Sequence, residues 1–168
     1  MKCAWMFVAT MCAMMVPMPA YAQMVIVVRH AERADGGAGA PSAMTTSSDP
    51  ELSEAGKARA QKLAAMLGDA GIVAIYTTQY RRTKDTATPL GDKIGVSYEA
   101  VPSGDMAGLV AKIKSHKTGA VLVVGHSNTV PVIVKALGGP AVTMADDEYD
   151  SLYFVAPNGT TTRIRFKP

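Results

Sequence analysis

Met24-Val-Ile-Val-Val-Arg-His30 is the stretch that decides the fold. Its first five residues are apolar, four of them β-branched, and none marks a solvent-facing side. A strand apolar on both faces belongs inside a sheet that is covered on both sides, as parallel α/β sheets are. The run then stops at Arg29-His30. In open α/β sheets ligands bind beyond the carboxyl ends of the strands, so this pair stands where chemistry is expected.

The downstream pattern alternates between strand and helix signals. Residues 34–50 are rich in Gly, Ala, Ser and Thr, with Pro41 and Pro50, and read as a loop long enough to have a function. Ser53-Glu54-Ala55-Gly56 opens a helix whose apolar face is Leu63, Met66 and Leu67, closed by Gly68 or Gly71. Ile72–Thr77 reads as a second strand. Arg82–Leu90 reads as a helix start broken at Pro89, and Val96–Val101 as a third strand. Asp105 to His116 has helical spacing through Leu109, Val110 and Ile113. Ala120–Val124 is a second wholly apolar strand and leads into Gly125-His126. Val130–Leu137 is a short helix with Pro131 in its first turn and Gly138 at its end. Ser151–Val155 and Thr160–Phe166 form a hairpin turned by Pro157-Asn158-Gly159. The predicted fold is α/β: a single-domain three-layer sandwich, with a mostly parallel central sheet and helices on both faces.

Upstream of the first strand, residues 1–22 have a basic start at Lys2, an uncharged apolar stretch and an Ala20-Tyr21-Ala22 ending. This is the three-part pattern of a secretory signal peptide, with cleavage after Ala22 and a working domain over residues 23–168. The alternative, an uncleaved anchor, is opposed by Pro17 and Pro19, which interrupt the apolar run. The expected location is periplasmic or secreted, without stable membrane insertion after cleavage. Cys3, Cys12 and Trp5 leave with the peptide, so the mature chain has no thiol and no disulfide framework. At 48% hydrophobic and 18% charged, the 168-residue chain is too apolar for a disordered protein and too short for a multi-helix membrane protein. Its net charge of +3, with no basic run or aromatic-basic stripe, excludes nucleic acid as the expected partner.

The chemistry concentrates at the strand ends. His30 and His126 each follow a buried strand and therefore share one edge of the sheet. Arg29 and Arg33 flank the first; Arg81 and Arg82 lie just past the second strand. Two histidines among several arginines, with few acids nearby, suit a phosphoryl dianion, because guanidinium forks onto phosphate oxygens. Other signals have plainer readings. Arg81 reads as a solvated neighbour, and His116, between Lys114 and Lys117, as a surface residue at a helix end. Asp146-Asp147-Glu148 reads as a solvated charge run rather than a metal site. Gly36-Gly37-Ala38-Gly39 lacks the helix that a dinucleotide fingerprint needs. Gly125-His126-Ser127-Asn128-Thr129 resembles a serine-hydrolase nucleophile elbow, but its fifth residue is Thr. No histidine follows Ser127, as that fold requires.

Four segments together resemble the histidine phosphatases of the phosphoglycerate-mutase-like superfamily. Arg29-His30-Ala31-Glu32-Arg33 is similar to the Arg-His-Gly-x-Arg signature, and Leu52-Ser53-Glu54-Ala55-Gly56 with Ala60-Gln61 to the following helix. Tyr76-Thr-Thr-Gln-Tyr-Arg-Arg82 with Thr86-Ala87 resembles the Ser-Pro-x-x-Arg-Ala segment. Val121-Leu-Val-Val-Gly-His126 resembles the last strand and second histidine. The resemblance implies that His30 is the nucleophile and forms a phosphohistidine. Arg29, Arg33 and Arg82 hold the phosphoryl group, with Arg82 rather than Arg81 in register from Thr77, and His126 hydrogen-bonds it. A neutral imidazole is a competent nucleophile near neutrality, and two displacements are easier than one.

The pattern also has departures. Ala31 replaces Gly, which requires an ordinary backbone angle there, and Gln79 replaces Pro. Ser127 stands where the phytase-like branch carries its general acid, an Asp. Candidates for the acid elsewhere are Glu32, Glu99 and Asp105. Asp105 ranks first because its Gly-containing loop can reach the site, against a competing role as a helix N-cap with Ser103, which is the commoner use of these residues. Ser127 and Asp105 join Arg33 as expected substrate contacts. A helix starting near Ser127 or Asn128 would add the positive potential of its amides. The expected activity is an exported, metal-independent phosphohydrolase without cofactor, acting on a small-molecule or protein phosphomonoester. The alternative is a non-catalytic protein of the same fold that binds phosphoryl ligands.

Overall fold

β1 (Met24–Arg29) lies inside a six-stranded sheet of order β3-β2-β4-β1-β5-β6, in a computed structural model that describes residues 23–35 and 49–167. The remaining elements are α1 (Glu54–Leu67), β2 (Ile72–Thr77), α2 (Arg81–Ile94), β3 (Tyr98–Ala100), α3 (Met106–Ser115), β4 (Ala120–Gly125), α4 (Val130–Ala136), β5 (Ser151–Val155) and β6 (Thr161–Arg165). The expected signal peptide, the Gly36–Gly39 run and most of the loop at 34–50 lie outside the described residues. Among the described residues, no helix is long and apolar enough to cross a membrane.

Strands β3, β2, β4 and β1 run parallel, and the predicted hairpin β5–β6 adds two antiparallel strands beyond β1. The apolar runs are explained by where their alternate side chains go. Ile26, Val28, Leu122 and Val124 pack with Leu63, Leu67, Ala87 and Leu90 of α1 and α2 on one face. Val25, Val27, Val121 and Val123 pack with Leu109, Ile113, Ile133 and Val134 of α3 and α4 on the other. Each such aliphatic side chain contributes about 1.5–3 kcal/mol by leaving water, so these two layers hold the strand ends in place.

Four elements differ in detail from the sequence reading. In α1 the Ser53 side chain accepts from the Gly56 amide at 3.1 Å, as a cap should. The buried stripe is Ala60, Leu63, Ala64 and Leu67, while Met66 is 40% exposed. At about 100° per residue, Met66 falls roughly a quarter-turn off that stripe. Helix α2 does not break at Pro89 but runs on to Ile94. Ala87 and Leu90 are fully buried on either side of the proline, and Gly95, at φ 71°, closes the helix through its amide to Gly91 O. The packing of both halves outweighs the one hydrogen bond that Pro89 cannot make. Strand β3 shrinks to three exposed residues at the sheet edge, with the Val101 amide adding one rung to Thr77 O at 2.9 Å. Helix α4 starts at Val130, as its Val130–Leu137 reading has it, and not near Ser127 or Asn128: the Thr129 hydroxyl accepts from the His126 amide at 2.8 Å and closes a turn ahead of it.

Candidate active site

β1 and β4 are adjacent and parallel, with Arg29 opposite Gly125, so the residues that follow leave the sheet side by side. The His30 amide donates to Gly125 O at 2.9 Å as a last rung. The His30 and His126 rings lie 5.3 Å apart, centre to centre, and the two residues are 4% and 8% exposed. The His30 Nδ1 is 2.7 Å from Ala31 O. A carbonyl only accepts, so Nδ1 carries the proton and the lone pair sits on Nε2. Burial lowers the His30 pKa to about 3; the Ala31 carbonyl works against this, while the nearby charges of His126, Arg29 and Arg82 add to it. The ring is therefore neutral at physiological pH. Ala31, fully buried, has an ordinary backbone angle, as the departure from Gly requires. Its amide donates to Thr86 Oγ1 at 2.9 Å, and that hydroxyl donates to Arg82 O at 2.7 Å. One threonine thus staples the histidine loop to the first turn of α2.

His126 is held by a row of hydroxyls. Its Nε2 is 2.9 Å from Thr78 Oγ1, which is 3.0 Å from Thr83 Oγ1, and Thr83 donates to Tyr80 O at 2.8 Å. Burial, then the positive charges of Arg82 and Arg29, lower the His126 pKa to about 4. The loop after β2 is tied across the site by Gln79, the residue in place of Pro. Gln79 accepts from the Ser103 amide at 2.9 Å.

Three arginines surround the histidines. Arg82 stacks over the Tyr80 ring, 4.3 Å from its centre, and its Nη1 meets Asp49 at 3.5 Å. Arg33 pairs with Asp35. Arg29 is also a clamp: its Nη1 donates to Ala145 O, Asp146 O and Glu148 O at 3.2, 2.7 and 3.2 Å, and its guanidinium lies 3.9 Å over Tyr149. The Nε donors of Arg29, Arg33 and Arg82 are buried without a hydrogen-bond partner among the described residues. Burial, and for Arg82 chiefly then the charge of Arg33, lowers the proton affinity of Arg29 and Arg82. Crowded, dehydrated cations of this kind are stabilised by an anion. They line a cleft of about 400 Å³ together with His30, His126 and Ser127.

The expected acids are placed elsewhere. Asp105 caps α3, accepting from the Gly108 amide at 2.8 Å, and is not in the cleft lining, although Ser103 and Gly104 of its loop are; Ser103 bonds Gln79 rather than sharing the cap. Glu32 takes three bonds from Arg59 at 2.5–3.0 Å, and Glu99 pairs with Lys112 at 2.8 Å. Arg81 is exposed and pairs with Glu51 and Asp85. His116 is not simply a surface residue, because its Nε2 bonds the Tyr76 hydroxyl at 2.8 Å. The run at 146–148 is not merely solvated either. Arg29 holds its backbone, Ser127 donates to Asp146 Oδ1 at 3.0 Å, and Glu148 pairs with Arg163. Nothing local in the sequence signals this, since the partners come from distant strand ends. Among the described residues, no group of three or more His, Cys, Asp or Glu is placed to hold a metal ion.

Residues 25–103 match the model of the histidine phosphatase superfamily, branch 1. The fold is similar to that of the protein histidine phosphatase SixA complexed with tungstate, with a TM-score of 0.65 and 21% identity over 84% of this chain and 94% of that one. It is also similar to mycobacterial glucosyl-3-phosphoglycerate phosphatase in complex with inorganic phosphate, with a TM-score of 0.59 and 18% identity over 86% and 95%. None of the curated proteins matches the chain significantly.

Proposed function

The chain belongs to the histidine phosphatase superfamily, and on that premise we infer that it is an exported phosphohydrolase working through a phosphohistidine on His30. The observation that carries this reading is the commitment of His30 Nδ1 to Ala31 O, which leaves a bare Nε2 among Arg29, Arg33 and Arg82. Nε2 attacks phosphorus, the bond from phosphorus to the ester oxygen breaks, and the arginines neutralise the charge that spreads over the three equatorial oxygens. Water then attacks the phosphohistidine, the P–N bond breaks, and the lone pair returns to Nε2. The guanidinium groups supply the positive charge that a metal ion supplies in other phosphatases, so the reaction is metal-independent in this reading. The substrate is a phosphomonoester, on a small molecule or a protein. The three-part pattern of residues 1–22 supports a periplasmic or secreted location.

Steady turnover of an aryl phosphate tests the reading. Turnover abolished in His30→Ala and indifferent to a chelator is expected, with a trapped intermediate whose phosphorus resonance is that of the Nε2-linked isomer. Turnover that survives His30→Ala, or an Nδ1-linked intermediate, overturns it. Binding of phosphate without any turnover would instead identify the non-catalytic binder. Mature protein beginning at Gln23 is the expected product of export.

A further inference from the structure

We propose that Asp146, held by the Ser127 hydroxyl, is the proton-transfer residue of the reaction at His30. This rests on the phosphohydrolase reading above. Departure of an alkoxide needs a proton, and Ser127 stands where the phytase-like branch carries its acid. Asp146 is the one acid among the described residues that line the cleft. Two contacts fix it from both sides. The Ser127 hydroxyl donates to its Oδ1 at 3.0 Å, and Arg29 Nη1 donates to its backbone carbonyl at 2.7 Å. Ser127 follows His126, and Arg29 precedes His30, so the carboxyl is referenced to both histidines through one residue each. Glu32, Glu99 and Asp105 are engaged elsewhere.

The proton balance closes on this one group. In the first displacement His30 Nε2 bonds to phosphorus, the ester P–O bond breaks, and the leaving oxygen takes the proton of the Asp146 carboxylic acid. In the second, water bonds to phosphorus, the P–N bond breaks, and the water proton goes to the Asp146 carboxylate. The enzyme is restored, and ester plus water has become alcohol plus phosphate. The substrate class follows: esters of poorly leaving alkyl alcohols come within reach, and not only phosphoramidates or aryl phosphates.

The test compares leaving groups. Asp146→Asn keeps the size of the side chain and an oxygen for Ser127 but cannot transfer the proton. Its kcat/KM on an alkyl phosphate such as glycerol phosphate should fall at least 100-fold, and on p-nitrophenyl phosphate about tenfold or less. Ser127→Ala should shift the same ratio in the same direction by a smaller factor. Equal losses on both substrates, or an unchanged alkyl rate, overturn the assignment. The two failures separate, because the phosphohistidine formed from p-nitrophenyl phosphate and its loss in His30→Ala test the underlying reading alone.

Discussion

Arg59→Met should destabilise the protein through Glu32 rather than through Arg59 itself. Arg59 makes three bonds to the Glu32 carboxylate, at 3.0, 2.8 and 2.5 Å, and a fourth to Phe166 O at 3.0 Å. The two side chains are 10% and 23% exposed. Burial pushes the Glu32 carboxyl up, but the Arg59 fork, its own backbone amide and the charge of Arg29 outweigh it and hold it below its ordinary value. Removing the guanidinium strands a largely buried charge. Partial solvent access puts the cost at about 2–3 kcal/mol, at or below the low end of the range for a broken buried pair. For a domain of this size that is a fall in Tm of about 5–10 °C at pH 7. In the wild type, the depressed carboxyl contributes stability above its ordinary pKa of 4.5 that is lost as the pH falls through the folded value. In the variant the bare carboxyl is raised instead, so its penalty is relieved by acid, and the gap between the two proteins should narrow below about pH 5. The double variant Glu32→Gln/Arg59→Met, with no charge left to strand, should recover most of the loss. Thermal melts followed by circular dichroism at pH 7 and 4.5 measure all of this. An unchanged Tm in Arg59→Met, or a double variant no better than the single, refutes the reasoning.

Two further outcomes follow from the histidines. Thr78→Val removes the hydroxyl that orients His126 while keeping the shape of the side chain. A loss of about 1.4 kcal/mol, within the range for one buried hydrogen bond, lowers kcat about tenfold, and steady-state kinetics with an unchanged kcat would count against the hydroxyl row. His30 and His126 titrate near 3 and 4 in the folded protein, against 6.5 ordinarily, so the unfolded chain binds more protons between those values. Stability should therefore fall as pH drops from 6.5 toward 4, less steeply in His30→Ala, and kcat/KM should show no acid limb near 6.5. Equal slopes in the two proteins would contradict the burial argument.

What was legible in the sequence is what is encoded locally. Wholly apolar runs such as Val25–Val28 and Val121–Val124 announce inner strands, and the histidine after each announces a shared edge. The caps at Ser53 and Asp105 are short-range chemistry and equally readable, although the sequence around Asp105 also suits an acid. The differences arise where distant residues decide the outcome. Pro89 stays helical because α1 and the sheet hold Ala87 and Leu90 on either side of it. Asp146 and Tyr149 enter the site because Arg29, more than a hundred residues earlier, hydrogen-bonds and stacks on their loop. The threonines at 78, 83 and 86 look like ordinary polar residues until the strand ends bring His126 and Ala31 to them.

The seating of β1 beside β4 at the middle of the sheet has a kinetic corollary. Those strands are separated by three helices and two strands, and they can pair only after the intervening residues have been gathered in. Pairings that span so much chain form slowly, because loop closure must precede any reward from contact. Until that ladder closes, His30 and His126 are not neighbours, and the arginine cage has nothing to surround. A half-folded chain therefore holds no paired imidazoles. The return of phosphate binding after dilution from denaturant times the closure of this long-range register.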